Sequence, residues 1–429
     1  MPEADLMCDV LVVGGGPAGS TAAALLAEAG RDVLLVEKSA HPRFHIGESL
    51  LPRNLAIFER LGLMDEVAAL GVHKPGAEFV SDRTGRSCAF RFSDALDKRF
   101  TAAWQVPRAR FDHMLFANAA RRGARTMERT LVRGIEFAAP GGRAEVAATG
   151  PDGATLRIRP RFVLDASGRD TFLAGKLGLK DSDKRNNTAA LYAHFRGVAR
   201  REGALEGCIT VHLAEDGWFW VIPLPDEATS VGFVGNQSAF KGRKGTPADL
   251  FLDRIASSPT LSARMEQASL ASEVVSTSNY SYRARSNYRD GAMMIGDAYG
   301  FVDPMFSTGV LFAMTGGELG AAAASVWLDD PVRGRALCER AARDLARAME
   351  RISWMIQRIN DPVLRSLFMN PRNMLRMRDG IVNLLAGNLH PEWRAALPVL
   401  AFKSVYHATR LLSRFGAGSA LPEAVGLAP

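Results

Sequence analysis

Val10-Leu11-Val12-Val13-Gly14-Gly15-Gly16-Pro17-Ala18-Gly19 stands at the head of the chain, and its reading decides the fold. The apolar run Val10–Val13 has the composition of a buried parallel strand and stops at a glycine cluster that spells G-x-G-x-x-G. Ser20 to Ala29 reads as an alanine-rich helix, and a second apolar run, Val33–Val36, ends at Glu37, 18 residues beyond Gly19. Strand, glycine turn, helix, strand and terminal acid form the complete context of a dinucleotide fingerprint. Each residue type has a reason. Gly14 permits the tight turn, Gly16 lets backbone approach a pyrophosphate, and Gly19 lets helix and strand pack closely. The helix start offers free N–H groups to phosphate. Glu37 can accept hydrogen bonds from ribose hydroxyls, which favours an adenosine without a 2′-phosphate.

Outside that stretch, composition bounds the rest. A chain of 429 residues suggests two or three domains and ample core, with 47% hydrophobic and 23% charged residues. No apolar run approaches the ~18 residues of a membrane-spanning helix. The acidic start MPEADLM leads directly into the first strand and does not read as a signal peptide. Cys8, Cys88, Cys208 and Cys338 are scattered, which points to a reducing cytoplasm and away from structural zinc. His41 and His45 lie in a proline-containing loop without an H-E-x-x-H carboxylate, so no metal is expected. The net charge of +7 is uneven: from Pro331 onward there are 15 Lys+Arg against 7 Asp+Glu, and before it 38 against 39. The arginines are not interleaved with stacking aromatics, so nucleic acid is not the expected partner.

Further along, glycine and short polar residues from His41 to Pro52 suit a backbone passing close to a ligand, ahead of a helix Arg53–Leu61. Gly71 to Phe79 is a turn entering a strand, where Lys74 taken by itself reads as a solvated lysine. Trp104-Gln105-Val106-Pro107-Arg108 leads into a helix Phe111–Arg121, and Phe162 to Gly168 is a strand ending in Asp165-Ala166-Ser167-Gly168. In Gly217-Trp218-Phe219-Trp220-Val221-Ile222-Pro223, period two puts both tryptophans and Ile222 on one face and Phe219 and Val221 on the other. Both faces are apolar, so the strand is sandwiched; the tryptophans wall either core or a cavity. A strand closing on Gly296-Asp297 is followed by a turn, Phe301 to Val310, and an alanine- and glycine-rich helix Leu311–Leu328. Such a glycine turn at a helix mouth can bind an anion or a ring's carbonyl edge.

Over about Asp9 to Leu328 the chain resembles a flavin-dependent halogenase of the phenol/pyrrole type, in the p-hydroxybenzoate-hydroxylase-like flavoprotein superfamily. The superfamily signatures are G-x-G-x-x-G with Glu37, the arginine of V-x-R-x-x-F-D at Arg108, D-A-S-G at Asp165 and Gly296-Asp297. Three features separate halogenases: W-x-W-x-I-P from Trp218 to Pro223, F-x-x-P-x-x-S-x-G from Phe301 to Gly309, and K-x-G-A at Lys74. The resemblance implies an FAD site made by Gly14, Gly16, Pro17, Ala18, Gly19, Glu37, Lys38, Arg43, Gly47, Glu48, Ser49, Arg108, Asp297, Pro304, Gly309 and Val310. It also implies a halide, chloride or bromide, on the N–H groups of Thr308 and Gly309, a catalytic Lys74, and a substrate pocket bearing Trp218, Trp220, Phe306 and Ser307. Reduced FAD and O2 would oxidise the halide to hypohalous acid, which Lys74 would hold or bind as a haloamine while an aromatic ring is attacked. Phe306 occupies the place of the glutamate that indole-type halogenases put before S-T-G, so a phenol, resorcinol or pyrrole is expected rather than free tryptophan. With one dinucleotide motif, FADH2 would come from a separate flavin reductase. A single-component FAD-dependent aromatic monooxygenase is the alternative.

The implied fold is α/β. A Rossmann-type FAD-binding domain (about 1–75, 105–185 and 275–330) is interleaved with a β-sheet substrate domain (about 76–104 and 186–274), followed by a helical region, 331–429. From Ala336 to Asn360, Leu337, Ala341, Leu345, Met349, Ile352, Ile356 and Ile359 fall on one helical stripe. Arg340, Arg343, Arg347, Arg351 and Arg358 gather beside it, either as a solvated face or as a docking surface for an acidic acyl or peptidyl carrier protein.

Overall fold

The structure is a computed structural model, and it describes residues 4–138, 142–182, 188–240, 245–278, 281–301, 303–359, 361–389 and 393–414. Its first sheet is built outward from Ala4–Val13, whose apolar stretch pairs in parallel with Val33–Val36 on one side and Thr155–Asp165 on the other. Arg125–Met127 and Ala292–Met294 extend the parallel array at its two ends. Val10 to Val12 and Val33 to Val36 are buried on both faces, which is why these runs show no alternation. Helices Pro17–Glu28, Arg108–Arg121 and Gly309–Asp329 cover the sheet, Pro17–Glu28 packing against both of the others.

Helix starts differ from the sequence expectation in one way that matters. Arg108 is the first residue of its helix, not a residue ahead of it, because Pro107 with φ −64° serves as the N-cap. Arg108 and Asp112 therefore lie one turn apart on one face.

The Gly14–Gly19 turn is fixed by contact distances. Gly14 has φ +107°, and a Cβ there would lie 2.3 Å from the Ala166 carbonyl oxygen; a Cβ on Gly19 would lie 1.9 Å from the Gly14 carbonyl oxygen. Both obstacles are backbone and cannot swing aside. Gly19→Ala is expected to lose more than about 4 kcal/mol of stability, the range reserved for a clash with no room to relax. Gly175→Ala, where a Cβ meets nothing within 4 Å, should stay within about 1 kcal/mol of wild type. Urea unfolding midpoints of the two variants check this; equal midpoints would contradict the packing argument.

A second eight-stranded sheet runs Ser269–Leu270, Thr188–Arg196, Thr229–Asn236, Gly217–Pro223, Ile209–Leu213, Gly76–Ser81, Ser87–Arg91, with Val275–Ser278 also on Thr188–Arg196. All its pairings are antiparallel except Ile209–Leu213 with Gly76–Ser81. Gly217–Pro223 is buried throughout, and its two faces serve different cores. Phe219 and Val221 join a small cluster with Phe195, Val231 and Phe233, while Trp218, Trp220 and Ile222 face the main core.

Gly309–Asp329 has the length and hydropathy of a membrane-crossing helix (21 residues, mean hydropathy 1.3), which the reading of apolar runs had not anticipated. Its composition has another cause here: Gly316, Gly317 and Gly320 press it against Ile295, Ala18 and Leu164, so the helix is apolar on most sides because it is a core element.

Beyond it lie helices Pro331–Ile356, Pro362–Met369, Met377–Leu385 and Trp393–Arg414. The apolar stripe of the first is buried from Ala341 through Ile356, and Ile359 is buried just past its end; Asn360 lies outside the described residues. The arginine stripe does not hold together. Arg340, Arg343 and Arg347 are exposed and paired loosely with Asp344 and Glu339 at 3.8–4.0 Å. Arg351 instead donates to the Leu389 carbonyl at 2.5 Å, and Arg358 lies beyond the helix end over the Trp354 ring. Two of the five arginines thus have structural contacts: Arg351, within the helix, is drawn to the Leu389 carbonyl, and Arg358 falls past the helix end at Ile356.

Candidate functional site

A cavity of about 530 Å3 opens where the two sheets meet the Gly14–Gly19 turn. Its wall includes Gly14, Gly16, Pro17, Ala18, Glu37, Lys38, Arg43, Gly47, Glu48, Ser49 and Arg108 from the first half of the chain, and Asp297, Pro304, Ser307, Gly309 and Val310 from the second. Trp218, Trp220 and Ile222 close one side. Gly19, Lys74, Phe306 and Thr308 stand behind the wall rather than on it.

The polar groups fit a dinucleotide that carries a pyrophosphate and hydroxyls. A Cβ on Gly16 would meet only the Arg43 guanidinium, at 3.7 Å, so the backbone there faces open space. Glu37 is 4% exposed and holds the loop by accepting from Gly15 N–H (2.8 Å) and Ser39 N–H (2.9 Å). Asp297 is on the wall, where burial pushes its pKa up to about 6 against the opposing pull of the Arg108 and Arg169 charges. Glu48 Oε1 meets His194 Nε2 at 2.8 Å, whereas its buried Oε2 has no partner among the described residues. An orphaned buried acceptor on a cavity wall marks a place for a ligand donor such as a hydroxyl group. Lys38 is held in an ion pair with Asp170.

Arg108 is placed by an acid that the motif reading passed over. Its guanidinium binds Asp112 in bidentate fashion at 2.8 and 3.1 Å and donates to the Ile46 carbonyl at 2.6 Å. Arg43 reaches the same carboxylate at 3.1 Å and Glu37 at 3.5 Å. Burial alone would raise the Asp112 pKa, but Arg108 outweighs it, with His45 and Arg43 adding to the effect, and holds the carboxyl below its ordinary value. The signal was present in the sequence, since Asp112 is the D of V-x-R-x-x-F-D, four residues after Arg108. Tyr192, also on the wall, had no local signal; antiparallel pairing brings its strand beside Thr229–Asn236 and its ring 5.9 Å from Trp220.

The two tryptophan rings lie 5.9 Å apart, tilted by 51°, and Trp220 Nε1 donates to Ser230 Oγ at 3.1 Å. Gly232 stands opposite Trp220, and a Cβ there would strike the indole at 2.1 Å. The wall is therefore rigid. No described residue accepts the N–H groups of Thr308 or Gly309 at the start of Gly309–Asp329. Ser307, with φ +57°, makes the turn that presents them.

Lys74 is not the solvated lysine that its loop suggested. It is 1% exposed, at the end of Val72–Lys74, and pairs through Ala103 with Ala103–Gln105. Its Nζ donates to Ser49 Oγ and to the Leu50 carbonyl, both at 2.8 Å, and sits 5.2 Å from the Phe92 ring centre. Burial lowers its pKa from 10.5 to about 7, so the amine is substantially neutral near neutrality. Phe306 packs among Phe79 and Phe368 at 6.3 Å, with no carboxylate in its place. His41 and His45 are engaged separately, by Glu128 and by the Ile46 carbonyl.

The chain is similar to known flavoproteins. Residues 7–317 match the FAD binding domain family. A tryptophan 2-halogenase from Chondromyces crocatus is 36% identical over 73% of this chain; the match spans only 60% of that relative's length. A 1H-pyrrole-2-carbonyl-[peptidyl-carrier protein] brominase from Pseudoalteromonas luteoviolacea is 31% identical, covering 72% of this chain and 75% of the relative. Among solved structures, a myxobacterial chondrochloren halogenase is 34% identical with a TM-score of 0.78, covering 83% of this chain and 82% of that one. A flavoprotein/dehydrogenase from Cytophaga hutchinsonii is 31% identical with a TM-score of 0.81, covering 88% and 92%.

Proposed function

This chain belongs to the flavin-dependent halogenases within the FAD binding domain family, and from that membership we propose that it halogenates an electron-rich aromatic ring. The observation that carries the proposal is the buried, low-pKa amine of Lys74, joined through Ser49 to a cofactor cavity walled by Trp218 and Trp220. FAD bound in that cavity in its reduced form supplies, with O2, the oxidising equivalent that turns chloride or bromide into hypohalous acid. Gly14, Gly16, Pro17, Ala18, Glu37 and Arg43 would hold its adenosine and pyrophosphate end, while Asp297, Glu48, Pro304 and Val310 would hold its ribityl and ring end. The unpaired N–H groups of Thr308 and Gly309 hold the halide at a helix start, where backbone donors and the helix dipole favour an anion. The tryptophan wall keeps the aromatic substrate off the cofactor and so favours halogenation over direct oxygenation.

Phe306 sets the substrate class. It offers no negative charge to a cationic ring intermediate, so the ring must supply its own electrons, as a phenol, resorcinol or pyrrole does. One relative is named for a pyrrole carried on a peptidyl carrier protein, and the substrate here is free or tethered in the same manner. A single dinucleotide turn leaves reduction of the flavin to a separate reductase. Four free thiols suit a reducing cytoplasm.

Purified protein given FAD, an added reductase, O2 and bromide should brominate a resorcinol trap. NADPH without the reductase should leave the bound flavin oxidised in stopped flow. Oxygenated product without halide, or NADPH bleaching that an aromatic accelerates, would instead establish a monooxygenase.

A further inference from the structure

Lys74 does not itself reach the flavin cavity; Ser49 stands between them. Ser49 is on the cavity wall, 5% exposed, and its Oγ accepts the bond from Lys74 Nζ at 2.8 Å. Its own O–H donates to no described residue, which leaves that proton available to an incoming group. The pair is also rigidly registered. Lys74 pairs with Ala103, Ser49 bridges Gln105, and Leu50 N–H donates to the Trp104 carbonyl, so one short strand fixes both side chains. A neutral amine has two N–H bonds and a lone pair. Ser49 and the Leu50 carbonyl take both N–H bonds, and the lone pair remains for an electrophile. Ser49 is thus the residue through which the cavity wall adjoins the Lys74 amine.

Resting on the halogenase reading above, we propose that Ser49 relays the proton that Lys74 must release when it accepts halogen from hypohalous acid. The nitrogen lone pair forms the N–X bond while the O–X bond breaks, leaving its electron pair on hydroxide. The amine proton passes to Ser49 Oγ as the Ser49 proton passes to the departing hydroxide. The products are the haloamine and water, Ser49 is regenerated, and no further oxidant is consumed. Without the serine, hydroxide would have to leave unprotonated in a pocket where charge is poorly solvated.

The test is a single turnover with FADH2, O2 and bromide but no aromatic substrate. Oxidising equivalents retained on the desalted protein, and those released to a trap, are both read by thionitrobenzoate oxidation. In wild type the retained share should disappear on Lys74→Met. Ser49→Ala should lower the ratio of retained to released equivalents by at least about tenfold, a threshold set below the roughly 10²–10⁴-fold contribution typical of a positioned proton-transfer group. Ser49→Thr, which keeps a hydroxyl, should recover the ratio to within about threefold of wild type. An unchanged ratio in Ser49→Ala overturns the relay, including the case where both quantities fall together through a damaged cofactor site. Equal loss in Ser49→Ala and Ser49→Thr also overturns it, since packing and not the hydroxyl would then be at issue. Retention by Lys74→Met at the wild-type level would defeat the lysine assignment instead, and is read separately.

Discussion

Lys74→Met should halogenate about 10²–10⁴-fold more slowly than wild type while still binding FAD and reoxidising it with O2. The amine sits behind the cavity wall, so replacing it by an apolar side chain of similar length removes a buried polar group without disturbing the cofactor contacts. The Ser49 hydroxyl and the Leu50 carbonyl lose a donor, a cost of about 1–3 kcal/mol that a domain of this size can carry. Lys74→Arg makes the sharper comparison. A guanidinium stays protonated, so it can hydrogen-bond an oxidant but cannot accept halogen on a free lone pair. If that variant is as slow as Lys74→Met, the amine acts as a nucleophile; if it retains rate, hydrogen bonding is enough. The pH profile carries the same distinction. Burial brings the amine to about 7, and the reactive neutral form grows as pH rises through that value. Halogenation should therefore climb between about pH 6 and 8 and level off above, whereas flavin reoxidation measured in parallel should not follow the same curve. The charged or titratable neighbour bearing on Lys74 is the Cys208 thiol, which burial raises to about 11 and keeps neutral across this range. Near wild-type halogenation by Lys74→Met would end the assignment.

Asp112→Ala should abolish FAD binding and lower stability by about 3–5 kcal/mol, as breaking a buried ion pair from one side does. Asp112 is 0% exposed and receives Arg108 at two points and Arg43 at a third. Without it two guanidinium groups remain in the cavity wall with their charge poorly compensated, and Arg108 loses the partner that orients it over Ile46 and Gly47. Because the folded-state pKa lies below the ordinary value of 3.8, the stabilisation is present above that pH and is lost as pH falls through the lower, folded value. The difference between wild type and Asp112→Ala should consequently be full at pH 7 and shrink only in acid. Urea unfolding at pH 7 and pH 3, with flavin fluorescence for cofactor binding, measures both parts. An Asp112→Ala protein that unfolds at the wild-type midpoint and binds FAD would show that Arg43 and Arg108 are held by other means.

Much of this was written in local sequence. The strand–turn–helix–strand from Val10 to Glu37 was legible because its constraints act between near neighbours: a backbone at φ +107° at Gly14 and a carbonyl 1.9 Å from any Cβ on Gly19 leave glycine as the fitting residue. The two faces of Gly217–Pro223 followed from period two alone, and its sandwiching followed from both faces being apolar. Those regularities also made the second helix mouth at Gly309 visible. What each residue type could do was likewise in the sequence, since a lysine, a serine and two tryptophans carry their chemistry with them.

Only the tertiary structure decided which of these groups share a site and in what ionisation state. Lys74 read as a solvated loop lysine until the pairing of Val72–Lys74 with Ala103–Gln105, and the bridge from Ser49 to Gln105, buried it and drew its pKa down. Arg108 read as an arginine ahead of a helix until Pro107 proved to cap it and put Asp112 one turn away. The arginine stripe near the C-terminus read as continuous until Leu389 proved to hold Arg351 and the helix end at Ile356 left Arg358 over Trp354. In each case the deciding quantity was desolvation or a contact between residues far apart in the chain. Local pattern fixes an element's period and faces; burial depends on what the rest of the chain lays against it, and burial sets the charge that a lysine or an aspartate carries.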